Sequence, residues 1–289
     1  MKKLLCILLC CTLALLSFAA CEKGEGVPFL TTKSASTTTL KNTAMVTFPE
    51  GFTIIQIAER LEANGVCSKE DFLKVCNEPY EGITIDNPDE RIFLLEGYVF
   101  PDTYEFYLNS DAKSVLKKFI DNFNNKIAPD MKQKAEELGM TLDEIITLAS
   151  IIQKECDFDL TECANVSSVF HNRLKSPSFP KLESDVTTFY IKNNLGDYLG
   201  YKKDAEGNGL PLDQQSDEIV RYMNLYSTYY CKGLSAGPIC NPSLKAITAA
   251  LNPAETNYYF FLTDPTGVDF YYAETISQHQ KNGRTAGLF

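Results

Sequence analysis

The sequence predicts an α+β protein with a small subdomain ahead of a larger mixed α+β domain, and three observations carry that expectation. Apolar residues recur at helical spacing from about residue 52 to residue 175. Short extended stretches flank that block, M-V-T-F near residue 45 and Y-Y-F-F-L-T and D-F-Y-Y-A near residues 260–270. The length of 289 residues suits one large domain plus a small accessory one.

The apolar opening M-K-K-L-L-C-I-L-L-C-C-T-L-A-L-L-S-F-A-A-C starts with Lys2 and Lys3 and reaches two small residues before Cys21, the pattern of a secretory signal over residues 1–21. F-A-A-C resembles a bacterial lipobox, which implies lipidation of Cys21 after cleavage. The other reading is an uncleaved membrane anchor, for which the apolar run is short. Either way the chain is expected at the extracytoplasmic face of the cell membrane, tethered at its N-terminus. Residues 22–44 are rich in Ser and Thr, lack periodicity and read as a flexible tether.

Loss of the signal removes two lysines and no acid, leaving 38 acidic against 25 basic side chains, a net of −13. That surface excludes nucleic acid as a partner class. No metal or other cofactor is expected: there is no C-x-x-C, no H-E-x-x-H, and the chain has two histidines. Apart from Cys21, the mature cysteines form three couples close in sequence, Cys67/Cys76, Cys156/Cys163 and Cys231/Cys240. Six cysteines allow fifteen pairings, and reduced, buried thiols fit equally well. The Cys231–Cys240 couple, flanking a turn-rich segment, is the bond singled out from sequence proximity.

Within residues 45–110, M-V-T-F-P-E-G reads as strand and turn. Ile54, Ile57, Ala58 and Leu61 then mark an amphipathic helix stopped by Asn64-Gly65, and Ser68 with Asp71 opens a second helix. Strand, helix, helix is how a LysM-like subdomain begins; an ordinary α/β subdomain has the same spacing. The aromatic stretch 95–107 reads as a bent extended connector whose rings suit the core or a sugar platform, with core the preferred reading. Residues 111–289 form the larger domain, with helices near 112–127 and 130–138. Another helix places Val166, Val169, Phe170 and Leu174 on one face, and short extended pieces are expected after it.

Between those helices lies T-L-D-E-I-I-T-L-A-S-I-I-Q-K-E. Thr141 and Glu144 make a capping box, and Ile145, Leu148 and Ile152 form an apolar stripe that Glu155 continues. A carboxylate there is expected to face inward. Partial burial and the negative helix end both raise its pKa, which suits a general acid at neutral pH. A glutamate reaching out of a fraying helix end has the same spacing. A competing pattern, G-L-S-A-G around Ser235 followed by Asp264 or Asp269 and His279, has the order of a serine hydrolase triad. Pro238 and Pro242 forbid the helix that such a serine requires.

The motifs E-G-Y-V-F-P-D-T-Y, A-S-I-I-Q-K-E, V-F-H-N-R-L, L-E-S-D-V-T, Y-S-T-Y and G-P-I-C-N-P follow one another over about residues 42–282. In this order and spacing the chain resembles the endolytic murein transglycosylase family, also called YceG-like. The resemblance implies a LysM-like subdomain followed by a catalytic domain that cuts peptidoglycan glycan strands internally. It implies MurNAc–GlcNAc cleavage to 1,6-anhydro ends, termination of nascent glycan elongation, and work beside the cell-wall synthesis machinery. It puts the catalytic acid/base at Glu155 and sugar-binding or steering groups at Asn172, Ser184, Asp185, Thr187, Tyr226, Thr228 and Tyr229.

Departures from the family pattern are Gln153 for a usual acid, Glu183 for Gln, Val186 for Pro, Ser227 for Asn, L-S-A-G for L-P-P-G, and His279-Gln280 for H-N. A non-catalytic wall-binding lipoprotein is the alternative that these departures leave open.

Overall fold

In the computed structural model, which describes residues 42–156 and 158–288, the chain enters through β1 (Thr43–Thr47). The signal, Cys21 and nearly all of the tether lie outside the described residues. After β1, α1 (Ile54–Ala63) is opened by a Thr53–Gln56 capping box, and Gly65 beyond its end adopts φ +68°, where a side chain would be strained. α2 (Lys69–Val75) starts at Ser68, whose hydroxyl accepts from Asp71 N–H, as the sequence indicates.

The stretch 95–107 departs from the expected connector. Its last five residues form β2 (Thr103–Tyr107), antiparallel to β1 with Val46 opposite Tyr104. The T-Y-E-F-Y alternation buries Tyr104 and Phe106 and exposes their neighbours, the period of a half-buried strand. The two-stranded sheet therefore closes a β-α-α-β unit. Its rings pack with Phe48 against Phe119 of α3 (Ala112–Lys126), with ring centroids 4.5 Å apart for Tyr104–Phe119 and 5.1 Å for Phe48–Phe119. The aromatics at 98, 100, 104 and 106 are core, as expected.

α4 (Pro129–Glu137) starts on a proline, and α5 (Leu142–Glu155) on the Thr141–Glu144 capping box, closed by bonds of 3.0 and 2.8 Å. In the first turn of α5, buried Asp143 pairs with Arg91 and accepts from Tyr98 Oη at 2.6 Å and Asp86 N–H at 3.0 Å. α5 is buried on almost every side from Asp143 to Gln153. It packs on α6 (Leu160–Lys175) and, most extensively, on α10 (Leu244–Leu251), whose alanines allow close approach.

The segment after α6 is more helical than its sequence suggests. α7 (Asp185–Phe189), a wide π-type turn over Tyr190–Asn194, α8 (Gly196–Leu199) and α9 (Asp217–Tyr226) precede α10. The hairpin β3 (Phe260–Thr263) and β4 (Phe270–Ala273) falls where extended pieces were expected, and α11 (Ile276–Thr285) follows it. The longer of these unforeseen helices span eight to ten residues, too short for a clear apolar period. Ser216, Ser243 and Thr275, whose hydroxyls cap α9, α10 and α11, were the available signal. Among the described residues no helix is long and apolar enough to cross a membrane.

A buried polar seam joins the first elements to the rest. Glu96, 1 % exposed, accepts from Ile54 N–H at 3.0 and 3.2 Å, Asn241 Nδ2 at 2.9 Å and Tyr190 Oη at 3.1 Å. Asn241 Oδ1 accepts from Gly97 and Val99 N–H. Lys154, in the last turn of α5, donates to Gly51 O at 2.6 Å. The carboxylate thus caps α1 while holding segments distant in sequence.

Candidate active site

Glu155 ends α5 and continues the fully buried stripe Ile145, Leu148, Ile152. It is half-buried and lines a cleft of about 520 Å³ with Val169, Phe170, Arg173, Ser184, Asp185 and Tyr229, closed on the far side by β3 and α11. Ser184 Oγ donates to Glu155 Oε1 at 2.6 Å. Burial pushes the Glu155 carboxyl above its ordinary range; the Ser184 hydrogen bond opposes the rise and the negative charge of Asp185 adds to it.

Ser184 is aimed by a lattice of hydroxyls. Its N–H donates to Thr228 Oγ1 at 2.9 Å, its carbonyl accepts from Thr187 Oγ1 at 2.7 Å, and Thr228 N–H donates to Thr187 Oγ1 at 3.0 Å. Preceding it, Glu183 sits at φ +54°, an uncommon region for a side-chain-bearing residue, with its N–H on Thr228 O at 3.2 Å and its carboxylate on Arg173 at 3.2 Å. The two segments L-E-S-D-V-T and Y-S-T-Y are therefore stitched together behind the cleft wall.

Of the residues singled out in the sequence, Glu155, Ser184, Asp185 and Tyr229 meet on the cleft. Asp185 is exposed there, and the Tyr229 hydroxyl is pushed up to about 12, first by burial and then by its hydrogen bond with Asp185. Thr187 and Thr228 are fully buried behind the wall. Tyr226 is a core residue packed on Tyr190 with centroids 5.4 Å apart, its hydroxyl accepting from Ile92 N–H. Asn172 Nδ2 bridges the carbonyls of Thr256 and Tyr258, both at 2.9 Å, bracing the approach to β3. These four hold the wall in place and are not on its surface.

The departures from the family pattern also find places. Gln153 is buried and accepts from Ser243 N–H at the start of α10, a contact that needs no charge. Ser227 is buried against Thr188 Oγ1 at 2.7 Å, away from the cleft surface. Ser235 is buried, is followed by no helix, and bonds Gly237 O at 2.8 Å. It lines a different cavity from His279, so the serine-hydrolase pattern does not assemble.

Sequence reasoning missed Arg173 and the far wall. Arg173 donates through Nε to Tyr259 O at 2.7 Å and through Nη1 to Leu182 O at 2.9 Å, fixing β3 beside the L-E-S-D segment. His279 stacks on Phe260 with centroids 5.2 Å apart and faces the same cleft. Arg173 stood inside a quoted motif, but only its apolar neighbours had a periodic signal.

The YceG-like family profile matches residues 29–285, most of the chain. The chain belongs to the YceG-like family. Similar proteins include the endolytic murein transglycosylase of Streptococcus pneumoniae serotype 2 (strain D39 / NCTC 7466). It is 26 % identical over 257 residues, which cover 83 % of this chain and 44 % of that protein. The endolytic murein transglycosylase of Bacillus subtilis (strain 168) is 27 % identical over 248 residues, covering 82 % of this chain and 63 % of that one. The chain thus spans less than two thirds of the length of these curated relatives. A crystal structure of a yceG-like protein from Listeria monocytogenes superposes with a TM-score of 0.64 at 27 % identity, over 83 % of this chain and 76 % of that chain.

Proposed function

We propose that this chain is an endolytic peptidoglycan lytic transglycosylase, a lyase in which Glu155 serves as both acid and base. The observation that carries the reading is the placement of one raised-pKa carboxyl on an open cleft, held by the Ser184 hydroxyl and flanked by Asp185. The names of the similar proteins support the reaction class.

Hydrolytic glycosidases generally need two carboxyl groups, one of them to activate water or to attack the sugar. A lytic cut consumes no water. The protonated Glu155 gives its proton to the glycosidic oxygen as the C1–O bond of the muramic sugar breaks. The carboxylate then takes the proton of the same sugar's C6 hydroxyl, whose oxygen bonds to C1 and closes the 1,6-anhydro ring. One carboxyl whose pKa is raised above its ordinary range by burial fits both steps. In this scheme Asp185 and Tyr229 meet sugar hydroxyls, while Asn172, Thr187, Tyr226 and Thr228 act through the wall they support.

The β-α-α-β unit over residues 43–107 is read as a LysM-like module that grips glycan, a reading supported by its order of elements. Cys21 lipidation, or an uncleaved anchor, would tether the enzyme to the outer face of the cell membrane. There it would end nascent glycan strands beside the synthesis machinery. Digestion of purified glycan strands tests the reading: products are expected to end in 1,6-anhydro-muramic acid, lighter by one water than free reducing ends. Free reducing ends, or strands bound but not shortened, would overturn it.

A further inference from the structure

The cysteines of the described residues are not equivalent. Cys231 Sγ donates to Leu234 O and Cys240 Sγ to Ser150 O, so the couple singled out in the sequence is not joined in the structure. Cys156 and Cys163, likewise not joined, face each other with their sulfurs 2.6 Å apart. Cys156 is the residue after Glu155 and caps the C-terminus of α5 in an extended conformation, φ −141° and ψ 106°. Cys163 lies in the first turn of α6, the helix that contributes Val169, Phe170 and Arg173 to the cleft. Both sulfurs are buried, under a segment that exposes Phe158 and Leu160.

We propose that Cys156 and Cys163 form a disulfide as the exported chain folds, bracing the end of α5 against α6 and thereby positioning Glu155 in the cleft. The bond rests on the proposed export of the chain, and its effect on cleavage rests on the proposed role of Glu155. The last turn of a helix has no hydrogen-bonded turn beyond it to hold it, and its final carbonyls lack intrahelical partners. A side chain there is aimed by whatever fixes the next residue. In this chain that residue carries a sulfur in contact with the neighbouring helix.

Formation needs a disulfide oxidant, either a small-molecule disulfide or the active-site disulfide of a thiol oxidase. The Cys163 thiolate attacks the oxidant, giving a mixed disulfide and expelling a thiolate. The Cys156 thiolate then displaces the second oxidant sulfur; two protons are released and the oxidant is reduced by two electrons. In the closed chain the Cys163 thiol is pulled down chiefly by the Cys156 hydrogen bond and further by Lys245, whose Nζ donates to Phe158 O at 2.6 Å. Because both sulfurs are buried once the chain closes, the bond forms during folding and then resists reductant.

The test refolds the mature chain either in a mixture of oxidised and reduced glutathione or in excess reductant. No Lys or Arg lies between positions 154 and 173, so both cysteines fall in the tryptic peptide 155–173. After refolding in glutathione that peptide is expected two hydrogens lighter than its reduced form. Cys156→Ser and Cys163→Ser should each abolish the shift. The linked protein should melt about 5–10 °C above the reduced one, from closing a short loop in a chain of this size. Its kcat should exceed that of the reduced form by about tenfold at equal KM, the signature of a mis-aimed acid. A peptide of reduced mass, or Cys156 linked elsewhere, overturns the bond. Equal kcat in linked and reduced forms overturns the positioning role. A linked peptide with no cleavage in either form leaves the bond standing and counts against Glu155 as the acid.

Discussion

Glu96 and Glu155 are both carboxyls drawn out of water, and their surroundings make them opposites. Around Glu96 three donors from three distant segments converge, and the side chain is fully enclosed. Burial pushes its pKa up to about 8, although the hydrogen bonds from Ile54, Tyr190 and Asn241 work against the rise. Around Glu155 one donor among the described residues, Ser184, engages one oxygen, and the cleft lies open beside it. A raised pKa therefore does not identify an acid catalyst. What separates the two is whether the carboxyl's remaining acceptor sites are filled by the protein or left for a substrate.

The largest expected effect separates the pair by activity. Glu155→Gln should lower cleavage by about 10³–10⁴-fold, because one group serves both proton transfers, with little change in melting temperature. Near wild-type turnover in an anhydro-product assay would erase the distinction drawn above.

Glu96→Ala should do the reverse. It strands the Ile54 N–H, the Asn241 amide and the Tyr190 hydroxyl, and denaturant unfolding should show a loss of about 3–5 kcal/mol. Turnover per folded molecule should stay within about threefold of wild type, since most mutational effects outside the reacting groups fall on stability.

The pH dependence of stability sharpens the comparison further. The folded pKa of Glu96, about 8, lies above the ordinary carboxyl value of 4.5, so the folded state holds the proton more tightly than the unfolded state. Its contribution is full below about pH 4.5, is lost as the pH rises through about 8, and is flat above that. Glu96→Gln should remove that part of the slope in melting temperature between those limits. An unchanged slope would place the titration elsewhere.

The smallest effects concern Glu155 itself. Ser184→Ala removes the bond that favours the carboxylate, so the alkaline limb of the pH–kcat profile should move up. Asp185→Asn removes a negative neighbour and should move it down. Shifts in the same direction would contradict the two influences assigned to these residues.

Much of the candidate site was legible because its signals are local. The Thr141–Glu144 box, the stripe from Ile145 to Ile152 and the position of Glu155 all follow from bonds within four residues and a 3.6-residue period. β1, α1 and α2 were legible for the same reason. β2 was not, because its partner strand lies about 60 positions earlier and the Pro-Asp turn before it read as a joint. α9, α10 and α11 were hidden by their shortness. Asn172, Thr187, Tyr226 and Thr228 were placed around the cleft by the family resemblance, and residue type alone did not separate a group on the cleft surface from one behind it.

By itself the sequence determined the α+β class and the helix that ends in Glu155, with its stripe leaving that side chain either inward or reaching out of the helix end. These depend on short-range hydrogen bonds and on burial of one helix face. Tertiary structure alone decided which carboxyl keeps an open face. The donors that fill Glu96 come from 42, 94 and 145 positions away, whereas among the described residues Glu155 draws one, from 29 positions away. Loop closure over such distances is settled by packing of the whole core, and no local pattern records it.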